Sequence, residues 1–476
     1  MYFHSILFAP FLFFLFFVYH FVLPKTQKGQ NLLLLLGSLA FLGLNDLKSC
    51  GIILITGLIN FAAVKKMSQL AEGNLKKYVF YLGCAANIGV LGYYKYLGTL
   101  LSGIQSIFQG QSTNTLTDII IPIGLSFYTF QLLAYWIDVY NEEIEPETNP
   151  LDFGVFILYF PKMLSGPIEL YQKFSPQIKL PRQFDTALTT DGLRQFMWGF
   201  FKKTVISTHC LSFYAIAFPE GQTHAGLVVL LGGMLNIIYI YADFSGYSDM
   251  ACGLSKLFGI RLTNNFASPF FSTNISEFWK RWHVSLSSWI MLYVFTPLSF
   301  ILRRHNKVGV IVSIVTSFVL VGIWHGATSN YIVFGLLHGL FFIPLVLRGG
   351  SINASNSSTS AFSSSTKMFG TFMLIALTSL FFRDVPVRQT LQEITSIITS
   401  GQLNVPTALF HGATNMLYWL LIIACFVVEY IQRRHEHALC IAILPTWKRW
   451  LTYAIVLCII FFFSSYPSDH FIYVQF

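Results

Sequence analysis

The chain is built around apolar runs that approach the thickness of a lipid bilayer. GVIVSIVTSFVLVGIW, at 309–324, holds no charged residue, and several other runs come near the roughly 20 residues a helix needs to cross hydrocarbon. A chain of 476 residues would otherwise suggest two or three soluble domains. Hydrophobic residues make up 54% and charged residues 11%, with 48 phenylalanines and a mean hydropathy of +0.60. That balance excludes a soluble fold. The expected class is all-α: a polytopic membrane protein with about 11–13 transmembrane or re-entrant helices.

The first run, FHSILFAPFLFFLFFVYHFVL, has neither the basic leader nor the small-residue cleavage site of a signal peptide, so it reads as a retained span. Further spans are expected near 31–47, 50–64, 78–98, 118–139, 192–216, 225–246, 308–325, 330–347, 368–382, 414–432 and 449–466. Residues 1–100 form N-terminal transmembrane helices, and 101–476 a core integrated with them into one membrane domain. The net charge of +9 sits mainly in the loops, as the positive-inside tendency expects, and points to membrane orientation rather than nucleic acid. With Lys25, Lys28, Lys65, Lys66, Lys76 and Lys77 cytoplasmic, the N-terminus and the uncharged loop 103–117 fall outside. The seven cysteines are scattered without CxxC spacing and read as small apolar residues.

Two segments resist this scheme. Segment 153–170 is interrupted by Pro161, Gly166 and Pro167, and 284–302 has basic residues at both ends, Lys280 and Arg281 before it, Arg303 and Arg304 after it. Both are expected to be re-entrant or interfacial, which requires protein or a water-filled cavity around the backbone. The stretch GGSINASNSSTSAFSSSTK at 349–367 reads as a flexible linker. The acidic NEEIEPE at 141–147 reads as a solvated loop.

Chemistry concentrates in two places. EFWKRWHVSLSSW, Glu277 to Trp289, crowds ionisable and indole side chains together. As one helix it would pair Glu277 with Arg281, gather Phe278, Trp282 and Trp289 on an apolar side, and turn His283 towards the side of Trp279. Interface anchoring accounts for Trp279, Trp282, Lys280 and Arg281, but less readily for His283. In VGIWHGATSN, His325 ends an apolar run beside Trp324, with Gly326 permitting a bend or a close approach. An ionisable group at such depth is a functional candidate, and neutral imidazole is a natural general base. Hydrogen bonding to a neighbouring helix remains the plainer alternative, and packing is the plainer one for His338. Asp243 and Asp249, in YADFSGYSDM, orient a histidine, bind substrate, or pair with a buried cation. There is no HExxH or ligand-spaced cluster to hold a metal, no Walker loop and no GxSxG elbow.

The stretch YADFSGYSDMACGLSKLFGIRLTNNFASPFFSTNISEFWKRWHVSLSSW, followed by GIWHGATSNYIVFGLLHGL, resembles the membrane-bound O-acyltransferases, most of all the branch of the alginate O-acetylation membrane subunit. FYTFQLLAYWIDVY, FPKMLSGPIELYQKF, FFRDVP and FIYVQF agree in the same order. The resemblance implies helices around a central tunnel, with His325 catalytic and His283 near it. Trp324, Gly326, Trp282, Asp243, Asp249, Asn330 and His338 would line or support the tunnel, and Lys280 and Arg281 would meet the donor. The sequence departs from the family where Met291 and Leu292 replace an arginine–aspartate pair, and where Thr328, Ser329 and Asn330 follow the WHGA motif.

The implied activity is transfer of an acetyl group from a cytoplasmic thioester, acetyl-CoA or another, to an exported cell-surface polysaccharide. Lys256, Arg261, Lys280 and Arg281 could attract the donor's phosphates. No bound cofactor is expected. The implied setting is the bacterial cytoplasmic (inner) membrane, with lipid, a polysaccharide acceptor and a periplasmic or extracellular acetyltransferase or esterase-like partner. D-alanyl transfer to teichoic acid and peptidoglycan O-acetylation are the alternatives within the family. Outside it stands a polysaccharide-export or transporter component without acyl chemistry, or a non-catalytic scaffold.

Overall fold

The chain turns its apolar runs into helices, and its short polar residues stop and start them. In a computed structural model, which describes residues 3, 5–109, 121–219, 222, 224–326, 328–348 and 361–465, no β-strand occurs among the described residues. Thr26 caps the helix Gln27–Asn45 by accepting from the Gly29 amide, and Asp46 caps Leu47–Ser68 through Lys48. Lys65 and Lys66 close that helix, while Lys76 and Lys77 open Asn74–Gln109. The two basic pairs therefore share one short connection, as the charge pattern expects. Seven helices among the described residues are long and apolar enough to cross a bilayer. This is a multi-pass membrane protein.

The expected span at 192–216 is a longer helical run: Thr186–Phe201, a wide turn over Lys202–Ser207, then Thr208–Ala217. Segment 153–170 is broken as its prolines require, into Pro150–Leu158 and Phe160–Met163. Segment 284–302, expected to be re-entrant or interfacial, is a continuous helix over Val284–Ile301. Val284–Ile290, a wide turn at Met291–Phe295 and Thr296–Ile301 run on as one helix of 18 residues, long and apolar enough to span. Pro297 does not break it, because the wide turn just before relaxes the backbone that the ring would crowd. The linker expected at 349–367 is helical from residue 361, within Ala361–Ser379. Residues 349–360 lie outside the described residues, as do 110–117 of the expected outer loop and the terminal FIYVQF.

Among the described residues two compact units are distinguishable by packing: those of 1–196 with 248–263, and those of 197–247 with 264–465. The first unit is held by a buried polar bolt. Arg182 donates to the Tyr19 hydroxyl at 2.5 Å and to Asn31 at 2.6 Å, while Gln30 meets the Arg182 backbone in both directions. Each polar atom removed from water thereby finds a partner, which its burial requires. The second unit contains the hairpin of Asn306–His325 and Ser329–Leu340. Its helices touch through Gly322 and Gly335, where any added Cβ would strike the opposing backbone.

Candidate functional site

EFWKRWHVSLSSW does not continue as one helix. Asn274 caps Ile275–Arg281 by accepting from the Glu277 amide at 2.9 Å, and the helix ends at Trp282. His283 then takes a left-handed backbone, φ 45° and ψ 54°, before Val284–Ile290 begins. A residue with a Cβ is strained there, so the turn needs bracing. Asn265 supplies it: its carbonyl accepts from the Val284 amide at 2.9 Å, and its side-chain oxygen accepts from Ser285 at 3.2 Å. The Ala267 amide reaches back to the Arg281 carbonyl at 3.0 Å. His283 therefore points away from the face that a straight helix would give it.

Both site histidines are buried, His283 at 1% exposure and His325 at 4%. The His283 ring stands edge-on to Phe244, with centroids 4.7 Å apart, and lies 6.3 Å from Trp324. Trp324 is in turn 4.6 Å from His325. The two imidazoles thus share one indole as neighbour. His325 also meets Phe382 edge-on at 4.8 Å and Phe334 at 6.4 Å. Gly326 ends the helix in extended backbone, and a Cβ there would lie 2.5 Å from the Tyr331 ring. Its use here is close approach rather than left-handed geometry.

Asn330 reaches another segment. Its amide donates to the carbonyls of Val385 at 2.7 Å and Arg383 at 3.2 Å, and Arg383 is held by Glu393 at 2.5 Å. The turn after Phe382 is therefore tied to the hairpin that carries His325, and Asn330 acts as a structural clamp. His338 is equally committed. The Trp279 indole N–H donates to its Nδ1 at 3.2 Å, which puts the ring proton on Nε2, 3.1 Å from the Thr378 hydroxyl. Thr378 passes its own proton to the Leu374 or Ile375 carbonyl at 3.1 Å. All four groups are satisfied.

Trp279 and Trp282 are not interface anchors. Both are buried, and Trp282 stacks on Phe278 at 5.4 Å and stands perpendicular to Phe266 at 5.2 Å. The expected Glu277–Arg281 pair is present at 2.6 Å and occupies Arg281. Lys280 is exposed at the rim of a mostly apolar cavity of about 270 Å³. Trp279, Val284, Ser287, Met291, Ser317 and Val321 help to line it. Its wall reaches Val321, one turn before His325 on the same helix face. Neither His283 nor His325 lines it.

The two aspartates of YADFSGYSDM separate. Asp243 is buried in the second unit in an ion pair with Lys203, while Asp249, in the first, accepts from Gln195 at 3.0 Å. Lys256 also belongs to the first unit, buried and bonded to Asp191 at 2.7 Å, so it is not available to a donor's phosphates as expected. Arg261 remains exposed. Reading the sequence missed Phe244, Phe334, Phe382 and Asn265 around the two histidines. All four lie within the stretches that carry the family resemblance, Phe244 and Asn265 in the one beginning YADFSGYSDM, Phe334 in GIWHGATSNYIVFGLLHGL and Phe382 in FFRDVP, but nothing in those stretches sets these residues apart.

Known proteins share these segments. A probable alginate O-acetylase of Pseudomonas aeruginosa is 33% identical over 304 residues, 63% of this chain and 56% of the relative. A peptidoglycan O-acetyltransferase of Helicobacter pylori is 30% identical over 353 residues, 68% of this chain and 66% of that one. A teichoic acid D-alanyltransferase of Bacillus subtilis is 31% identical over 229 residues, 46% and 57% respectively. The chain thus spans between half and two thirds of these relatives. The sequence profile of the MBOAT, membrane-bound O-acyltransferase, family matches residues 142–348. That stretch contains both the braced turn at His283 and the helix end at His325, and the chain belongs to the membrane-bound O-acyltransferase family.

Proposed function

We propose that this chain is an O-acyltransferase of the bacterial cytoplasmic membrane. It passes an acetyl group from a cytoplasmic acyl thioester, acetyl-CoA or a comparable donor, towards hydroxyls of an exported cell-surface polysaccharide. One observation carries the reading: a buried imidazole, His325, ends an apolar helix of 20 residues within an aromatic wall, with His283 across the shared Trp324. The acetyl donor and polysaccharide acceptor follow the names of the P. aeruginosa and H. pylori relatives.

In the proposed chemistry the hydroxyl oxygen bonds to the thioester carbonyl as His325 takes its proton. Collapse of the tetrahedral oxyanion breaks the C–S bond, and the imidazolium returns the proton to the departing thiolate. No net proton is consumed. His283 positions or polarises the carbonyl, in a low-dielectric surrounding where fixed dipoles act strongly on the oxyanion. The cavity one turn from His325 suits the donor's apolar arm, and Lys280 at its rim suits a donor phosphate. A periplasmic or extracellular esterase-like partner completes transfer to the polymer.

The test is complementation of a strain lacking the gene with wild type, His325→Ala and His283→Ala at equal membrane levels, reading acid released from surface polymers by mild alkali. Loss of ester with His325→Ala supports the reading, and unchanged ester sinks it. The released acid decides between acetyl transfer and the D-alanyl transfer suggested by the B. subtilis relative.

A further inference from the structure

Two ion pairs that the proposed chemistry does not use lie beside the His283 turn. Lys202 and Lys203 are adjacent, each 3% exposed, in the wide turn Lys202–Ser207. Lys203 pairs with Asp243, which also accepts from the Ser207 hydroxyl at 3.4 Å. Lys202 donates to Ser245 at 2.9 Å and lies 3.5 Å from Glu429, whose other oxygen accepts the Tyr241 hydroxyl at 2.8 Å. The cluster ties the wide turn to the helices Leu227–Leu257 and Ala413–Gln432. Gly246 allows the contact: a Cβ there would fall 2.8 Å from the Gly199 oxygen and 2.9 Å from the Lys203 nitrogen.

Stability alone does not account for four charges in apolar helices. Such groups are costly within a membrane protein, and apolar replacement of a buried pair is often neutral or stabilising. What directional pairs specify is register. Tyr241 and Phe244 flank Asp243, and these same rings touch the turn: Tyr241 lies 6.1 Å from Trp282, and Phe244 lies 4.7 Å from His283. Phe266 joins them, 5.6 Å from Tyr241 and 5.1 Å from Phe244. Shifting the Leu227–Leu257 helix along the cluster would move both rings and leave the strained turn without its side wall.

We infer that the Lys203–Asp243 and Lys202–Glu429 pairs are positioning residues for acyl transfer, setting the register of Tyr241 and Phe244 and through them the orientation of the His283 imidazole. The inference rests on the acyl-transfer reading above.

The test uses membrane vesicles carrying the full chain, with acetyl-CoA titrated and ester-linked acetate on vesicle polymer as the readout. Replacing both partners, Lys203→Met with Asp243→Leu, leaves no orphan charge. The expected result is normal membrane level and thermal stability, kcat lower by about 100-fold through misplacement of the reacting groups, and little change in KM for acetyl-CoA. Phe244→Leu, which breaks the link without touching a charge, should give the same split. Wild-type kcat in a normally folded pair variant, or in Phe244→Leu, overturns the inference. If the pair variant fails to fold, Phe244→Leu decides alone. His325→Ala in the same vesicles separates the two failures. If it still transfers acetate, the acyl-transfer reading falls; if it is silent while the other variants run at full rate, only the positioning role falls.

Discussion

Replacing Trp279 by Phe tests the hydrogen-bond chain through His338. The change keeps an aromatic ring but removes the indole N–H that donates to His338 Nδ1 at 3.2 Å. His338 is 0% exposed, so water does not replace the lost donor. An orphaned buried acceptor costs about 1–3 kcal/mol, to which the smaller ring adds a packing loss. A double-mutant cycle removes that second contribution. His338→Leu alone orphans the indole N–H of Trp279, while Thr378 keeps its bond to the Leu374 or Ile375 carbonyl. With both replaced, no donor or acceptor in the chain is stranded. The combined variant should therefore be more stable than the two single losses predict, by about 2 kcal/mol. Thermal unfolding of the protein in lipid nanodiscs reads the effect, each single variant melting a few degrees lower, at roughly 2–4 °C per kcal/mol. Strictly additive losses would refute both the bond and the Nε2–H tautomer derived from it.

The left-handed turn at His283 makes a prediction of inverted sign. Glycine is ordinarily less stable than alanine by about 0.5–1 kcal/mol, but a Cβ in left-handed backbone costs about 1–2 kcal/mol. His283→Gly should therefore melt above His283→Ala while both lose transfer activity, and the reverse order of melting contradicts the φ of 45°. Glu147 governs an acid limit in the first unit. Burial alone would raise its carboxyl, yet hydrogen bonds from Tyr171, the Asn149 amide and Lys179 hold it below the ordinary value of 4.5. Its folded form is thus the stronger acid, so its stabilising contribution is present above that pH and is lost as pH falls through the depressed value. Melting temperature followed from neutral pH downwards should fall less steeply in Glu147→Gln than in wild type, and parallel curves count against the assignment.

The helices were legible because their signal is local. Runs such as 309–324 hold no charge, and Thr26, Asp46, Asn149 and Asn274 cap helices by the short-range bonds their side chains favour. Basic pairs at the ends of Leu47–Ser68 and Asn74–Gln109 marked a shared connection for the same reason. What concealed helical continuity was also local. The basic residues around 284–302 argued against a single span, but they say nothing about whether the backbone between them can continue. The wide turn at Met291–Phe295 lets it do so past Pro297. Likewise, the serine-rich composition up to residue 367 hid the start of a helix at Ala361.

The histidines announced themselves as costly groups in apolar surroundings, whereas their supports did not. Helical spacing placed His283 towards Trp279; the chain instead breaks at Trp282 and is braced by Asn265, 18 residues earlier in sequence. Nothing in EFWKRWHVSLSSW specifies that brace, because its energy comes from a side chain on another segment. His338 shows the opposite case: the same kind of signal as His325, an imidazole in an apolar run, but a ring whose two nitrogens are fully engaged by Trp279 and Thr378. Lys202, Lys203 and Glu429 lie between these cases. A lysine pair inside an apolar run is as anomalous as a histidine, and it could have been singled out on that ground. Which acids answer it, and which rings those acids place against His283, depends on helices more than 30 residues apart in sequence. An intramembrane charge can thus be found from sequence by its cost, but its role follows only from the partners that offset that cost. For His338 those partners are the Trp279 indole and the Thr378 hydroxyl, which engage both ring nitrogens and fix the ring as a structural link.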